Sequence, residues 1–377
     1  MTPNTFDPEA FRSHFPHLEE LVHLASCSQG AFSREVNYAL TNLTRSLHLH
    51  GAPWGEWMVE VERLRTEFAA FINTTPDHIA IVPSASAGAY QIASAFEWDG
   101  AKLLTSAIEF PSVGQVFQAQ KPNGAEISFI DDSQAALEAD IWASQMTQAT
   151  KLVSVPLVSY HNGDMPDVRN IIQESQEYGA ATFVDAYQGA GVVPIDVQDL
   201  DCDYLVTGTL KYLLGLAGVA FLYVKDVTRA ERSPEFTGWF GRQNPFGFDP
   251  QDTSYPLEAR RYEGGTPSVP SVYASLAGLR LIESIDQHQG FKHVMSLREY
   301  AADELTHAGF DISQPHNPDR RGPQVAVRLA DPNGAAEALA VEGVATAPRN
   351  DVLRLSLHYY TTQTDIDRAV AALQKVA

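Results

Sequence analysis

Cysteine is nearly absent from this chain of 377 residues: there are two, Cys27 and Cys202, far apart. Neither a disulfide framework nor a structural zinc site is expected from so few, which fits a reducing cytoplasm and leaves no metal centre to assign. Basic residues are also scarce, 26 against 47 acidic ones, for a net charge of -21. A polyanion would be repelled over most of such a surface, so neither a nucleic-acid nor an anionic-membrane partner is expected. A local basic pocket for an anionic cofactor remains compatible with that balance. Long apolar runs are missing as well, and none approaches the length of a membrane span. The first residues, Met1 to Asp7, lack the basic-then-apolar pattern of a signal peptide, and the chain reads as soluble and cytoplasmic. What is present is ordinary globular material, 44% hydrophobic and 19% charged. The length suits a large domain plus a smaller one.

Short apolar runs alternate with amphipathic stretches. Strands are expected at Ile79 to Val82, Lys102 to Thr105, Ile127 to Ile130, Leu152 to Val155, Ala181 to Val184, Tyr204 to Val206 and Val219 to Tyr223. Helices are expected between them, at Ala87 to Phe96, Ser112 to Gln120, Ala135 to Met146 and Val168 to Tyr178. That alternation implies an α/β fold with a mostly parallel, helix-covered sheet. Ligands of such sheets sit beyond the carboxyl ends of the strands. From about Thr237 to Pro270 the pattern gives way to Gly, Pro and aromatic residues, as in an irregular site or interface segment. Helices from Ser271 to Ser284 and Gly290 to Ala308 follow, then strands at Gln324 to Leu329 and Val352 to Leu357, and a last helix from Thr364 to Val376. This tail reads as a second α/β unit.

Two strand ends carry the chemistry. Asp185 ends one apolar strand, and Lys211 follows the next, 26 positions on, among small and apolar neighbours. A lysine in that setting is partly desolvated, which lowers its pKa and favours imine formation. This geometry suits pyridoxal 5'-phosphate (PLP). Lys211 would form the Schiff base, and Asp185 would pair with the protonated pyridine nitrogen. Gln188, three residues after Asp185, could donate to the cofactor's phenolate oxygen; otherwise it is a satisfied loop amide. The loop Pro83 to Gly88 joins a strand to a helix, where Ser86 and the backbone at Ala87 could reach a phosphate. The plainer alternative is an N-cap by Ser84 or Ser86. Phe110 could stack on a flat ring, or be a core phenylalanine. Arg354 lies on a strand with apolar neighbours and needs an anion: a substrate carboxylate, or an internal salt bridge. Thr266 could place a hydroxyl near a phosphate, or sit in a plain turn. Cys27 is a reactive thiol near the site, or a small buried hydrophobe. Trp54 and Trp57 could line a pocket, though at this spacing a packed helical face is the commoner arrangement.

These residues resemble the class V aminotransferase group of fold-type I PLP enzymes, which includes cysteine desulfurases, selenocysteine lyases, kynureninases and isopenicillin N epimerase-like proteins. The resemblance runs from about Leu21 to the C-terminus. The unit of Asp185 and Gln188 is similar to that of the desulfurases, and the Schiff-base lysine falls on Lys211. The phosphate-loop hydroxyl falls on Ser86, followed by Ala87 where many relatives have threonine. Glu109 to Ser112, Val158 to Asp167 and Gly238 to Gly241 look closer to kynureninase. In the second of these segments Asn162 is a candidate substrate contact. Arg261 to Pro267 resembles a segment that brings a threonine, here Thr266, to the partner subunit's phosphate. Arg354 falls on the substrate-carboxylate arginine.

The departures narrow the chemistry. Desulfurases have histidine where Phe110 and Leu210 stand, and a catalytic cysteine on the loop before the carboxylate arginine. Here that loop, Gly343 to Val352, is short and has no cysteine. Sulfur relay by that route is disfavoured, while C–S cleavage by simple β-elimination needs no such thiol. Kynureninase has tyrosine where Leu210 stands.

The resemblance implies a large seven-stranded PLP-binding domain over residues 15–265, a small C-terminal α/β domain over 266–377 with residues 1–14 packing on it, and a homodimer. It implies a PLP-dependent enzyme acting on an α-amino acid, as a C–S lyase or an aminotransferase, with a kynureninase-like hydrolase or an epimerase as alternatives. A PLP-binding module without turnover is the non-enzymatic alternative. It does not need Arg354.

Overall fold

The computed structural model describes residues 6–376. Seven strands form the main sheet: β1 Ile79–Val82, β2 Lys102–Ser106, β3 Glu126–Ile130, β4 Thr150–Pro156, β5 Ala181–Asp185, β6 Tyr204–Gly208 and β7 Ala220–Val224. Their order is β1-β7-β6-β5-β4-β2-β3. The pairs from β3 to β6 are parallel, and β7 runs antiparallel to both β6 and β1. Every residue of β1, β2, β5, β6 and β7 is buried, which explains their largely apolar character. The edge strand β3 is partly exposed.

The chain runs outward from β2 to the edge at β3, then returns to β4 on the other side of β2. The crevice at such a reversal, beyond the carboxyl ends of β2, β4 and β5, is where open α/β sheets bind ligands.

The expected strands are all present. The helix expected from Ala135 to Met146 is instead a 3₁₀ turn, Ala135–Leu137, and a helix, Ala139–Gln145. Glu138 between them is extended, at φ -108° and ψ 128°, which interrupts the helical hydrogen bonds. The segment 237–270 is irregular as expected, with short 3₁₀ turns at Trp239–Gly241, Pro245–Gly247 and Ala259–Tyr262. It is tied to the sheet by a buried ion pair between Arg65 and Glu263, whose carboxylate also accepts from Ile81 N–H (2.8 Å). Trp54 packs on Trp57 and Trp239, with ring centroids 5.2 and 5.8 Å apart.

A second, antiparallel sheet consists of β8 Ile312–Ser313, β9 Gln324–Arg328, β10 Ala347–Arg349 and β11 Val352–Ser356, in the order β10-β11-β9-β8. Asn350, at φ 51°, supplies the left-handed residue in the tight turn between β10 and β11. The N-terminal segment joins this region. Val22–His23 pairs in parallel with Val344–Ala345, and Ala25 bridges Ser356. Arg12 binds Asp365 (2.7 and 3.1 Å) and the Tyr360 carbonyl (2.7 Å). Of the segment 1–14, residues 1–5 lie outside the described residues.

His358 links the second sheet to the first. Its Nε2–H donates to the Tyr212 carbonyl (3.0 Å), and its Nδ1 accepts from Tyr359 N–H (2.8 Å). Both nitrogens are used by the neutral tautomer, and burial holds the ring's pKa down at about 3.

Candidate active site

Lys211 sits in the loop after β6, pressed between elements distant in sequence. Gly30 N–H donates to the Leu210 carbonyl (2.8 Å), and a Cβ at Gly30 would fall on the Lys211 carbonyl oxygen. On another side, a Cβ at Gly278 would fall on the Leu213 carbonyl. Glycine at both positions lets two other segments hold the backbone of this loop.

The lysine side chain is buried, with Nζ 4.2 Å from the centroid of the Tyr187 ring and 5.5 Å from that of Phe110. It forms no ion pair at contact distance among the described residues. Burial is the main cause that lowers its pKa to about 8. The Asp185 carboxylate opposes that shift, and the Arg354 and Arg349 cations add to it.

Phe110, Pro156, Val158, Tyr160, Asp185, Tyr187, Gln188 and Lys211 line one crevice. Asp185, the last residue of β5, is buried and accepts from Tyr187 N–H (2.8 Å). Beside it lies the carboxyl of Glu109, also buried, which accepts from Phe110 N–H (2.8 Å) and Ser154 Oγ (2.9 Å). Burial, then the charge of Asp185, push Glu109 well above the carboxylate range. Two carboxylates in contact cannot both ionise in this setting, so Glu109 keeps the proton and donates to Asp185. Burial raises Asp185 too, but Tyr187 N–H and Lys211 hold it back.

Arg354 is wholly buried on β11. Its Nε donates to the Ala347 carbonyl (3.1 Å) and its Nη1 to that of Tyr160 (2.6 Å), while Nη2 is buried without a partner. The internal salt bridge that was its alternative does not occur among the described residues.

The other candidates are placed as follows. Gln188 donates from Nε2 to the Cys27 carbonyl (3.2 Å) and leaves Oε1 buried without a partner. The Cys27 carbonyl fixes this orientation, since the reverse one would set two acceptor oxygens against each other. Cys27 is buried at this edge, in the neighbourhood of Lys211 and Arg349. Ser84 caps the helix Ala85–Ala93 by accepting from Ala87 N–H (3.1 Å), and Ser86 Oγ lies 2.6 Å from Ser112 Oγ. Ser86 and Ala87 thus flank the crevice without lining it. Asn162 does not reach it: its amide is engaged by Asp164 in the same loop (2.6 Å). Thr266 is exposed on the loop before the helix Val269–Glu283. The irregular aromatic segment lies outside the crevice lining.

Sequence reasoning missed Glu109, Tyr187 and Arg349. For Glu109 a signal was available: like Asp185, it is an acidic residue just after an apolar strand.

A flat anionic cofactor that forms an imine fits these residues. They offer a low-pKa amine, an aromatic ring at Phe110, a carboxylate for a ring nitrogen, an orphaned amide oxygen at Gln188 and an orphaned guanidinium nitrogen at Arg354. The comparisons agree with that chemistry. The sequence pattern of class-V aminotransferases matches residues 33–369, and the chain belongs to that family, whose enzymes use PLP. It is 36% identical over 364 residues to a Bacillus subtilis protein named uncharacterized aminotransferase YcbU, covering 96% of each chain. It is 26% identical to the kynureninase of Bacillus anthracis, covering 97% of this chain and 90% of that one. In structure it is similar to the cystine C–S lyase C-DES in complex with cysteine persulfide, with a TM-score of 0.88 at 21% identity, covering 96% of this chain and 100% of that one. That last likeness establishes the fold-type I architecture. This protein is therefore a PLP-dependent enzyme of the class V aminotransferase family.

Proposed function

We propose that the enzyme transfers the amino group of an α-amino acid, with Lys211 as the cofactor-binding residue and proton carrier. What supports this reading is one pairing: a buried lysine with a pKa near 8 and, within electrostatic reach, a buried guanidinium with a free N–H. Arg354 grips the α-carboxylate and fixes the orientation of the α-carbon. Lys211 Nζ would hold the cofactor and would be the base that takes the α-proton. Asp185 would pair with a protonated ring nitrogen of the cofactor, and Phe110 would lie against its ring. Ser86 and the N-terminus of the helix Ala85–Ala93 would hold its phosphate. Bound there, PLP supplies an electron sink for the pair left when the α-proton departs. The name of the 36% identical relative favours amine transfer.

C–S lysis by β-elimination is the second reading. It shares the first proton transfer, and the cysteine-free hairpin leading to Arg354 lets sulfur leave without a relay thiol. Incubating the enzyme with a panel of amino acids separates the outcomes. A keto acid, with the cofactor left in its amine form, supports transfer. Pyruvate with sulfide supports the lyase, anthranilate from kynurenine the hydrolase, and loss of optical activity the epimerase. Absence of α-deuterium exchange with every amino acid would overturn the enzymatic reading.

The proton shared by Glu109 and Asp185 gives a further expectation. Glu109→Leu leaves Asp185 without its donor and weakens PLP affinity roughly tenfold, the order of one lost hydrogen bond to a charged group. Glu109→Gln keeps a donor and stays within about threefold. Equal losses in both variants, measured by titrating cofactor into the cofactor-free protein, would refute the donor role.

The exposed Thr266 supports a homodimer in which this residue reaches the partner's phosphate. Light scattering that gives the mass of one chain, 41.3 kDa, would exclude it.

A further inference from the structure

Arg349 ends β10 and faces Val352 across the turn, while Ala347, two residues earlier, faces Arg354 on β11. Directly opposed residues share a sheet face, and so do residues two apart on one strand. Arg349 and Arg354 therefore stand diagonally on the same face. That face lies beside the crevice, because Arg354 donates to the carbonyl of Tyr160, one of the crevice-lining residues.

Neither guanidinium has a carboxylate partner among the described residues. Arg349 Nε and Arg354 Nη2 are both buried without a hydrogen bond. Asp351, the acid nearest in sequence, is bound instead by His161 (2.9 Å). In a chain with 47 acidic residues against 26 basic ones, two adjacent unpaired arginines are out of character. Burial, then the charge of Arg354, lower the pKa of Arg349, and Lys211 feels both arginines. Two cations held on one face repel each other, and that repulsion is relieved when each meets an anion.

We propose that Arg349 binds a second anionic group of the substrate, so that the amino acid taken by this site carries an acidic side chain: a carboxylate, sulfinate or sulfonate. The inference rests on the reading of Arg354 as the α-carboxylate anchor. Arg354 then takes one anion and Arg349 the other.

The test uses the PLP-loaded enzyme and reads binding, not turnover. L-Aspartate and L-glutamate are compared with L-alanine and L-norvaline by titrating the cofactor absorbance. Succinate is compared with propionate by thermal shift. The expected result is tighter binding of the diacids, lost about 10- to 100-fold in Arg349→Gln, the order of one charge-assisted hydrogen bond. Alanine affinity falls less than about threefold in that variant. Arg349→Lys keeps part of the preference, which separates loss of charge from loss of structure. A wild-type enzyme that binds alanine as tightly as aspartate, or an Arg349→Gln variant that loses both equally, overturns the proposal. Alanine affinity unchanged in Arg354→Gln would overturn the anchor reading instead.

Discussion

Replacing Lys211 with methionine abolishes the visible absorbance of the cofactor–lysine linkage and lowers turnover by at least about 10³-fold, within the range lost with a positioned acid–base group. The same change stabilises the cofactor-free protein. The amine has a folded pKa of about 8 against a reference of 10.5, so at neutral pH the fold carries a buried ammonium at a cost of about 3 kcal/mol. The sign follows from proton binding: between these two values the unfolded chain binds the proton and the folded one does not, so stability rises with pH there. The gain of Lys211→Met is thus fully present below pH 8 and gone above about pH 10.5. Urea denaturation at pH 7 and at high pH measures it. Equal stability of the two proteins at both pH values would mean that Lys211 is not the buried amine described here, and the cofactor assignment would go with it.

The second large effect is at Arg354. Arg354→Gln lowers kcat/KM for amino acids roughly 10²- to 10⁴-fold, since a bidentate carboxylate grip comprises two charge-assisted hydrogen bonds. The variant also gives up the bonds to the Ala347 and Tyr160 carbonyls, so some stability is lost with it. A comparison of substrates separates these effects. An amine with the same side chain but no carboxylate should react as slowly with the native enzyme as with the variant. If Arg354→Gln slows the amine as much as the amino acid, the arginine is a structural support and not an anchor.

The sheet was legible because its inner strands are buried on both faces and so appear as short, largely apolar runs between turn residues. The pieces of two or three residues were not legible: Val22–His23, Val344–Ala345 and Ala347–Arg349 are too short to show any period. The helices Arg34–His50 and Trp54–Phe71 also escaped placement, the first because only Val36 and Leu43 of its 17 residues are buried. Asp185, Gln188, Lys211 and Phe110, which share one crevice, could be grouped from the sequence since each stands at or after a strand end. Glu109 meets Asp185 from another strand, and Arg349 meets Arg354 across a turn. Such contacts depend on register, which one sequence does not display. Asn162 shows the opposite failure: its position suggested the site, but its amide is already satisfied by Asp164.

The hydrogen bond from His358 to the Tyr212 carbonyl spans 146 residues, and Gly30 meets the same loop from near the other end of the chain. A ribosome that has just made Lys211 has therefore made a reactive amine with no finished setting. The loop takes its final shape only once residue 358 has docked against it. Colour in the purified protein thus reports the docking of segments from both sides of Lys211 in sequence.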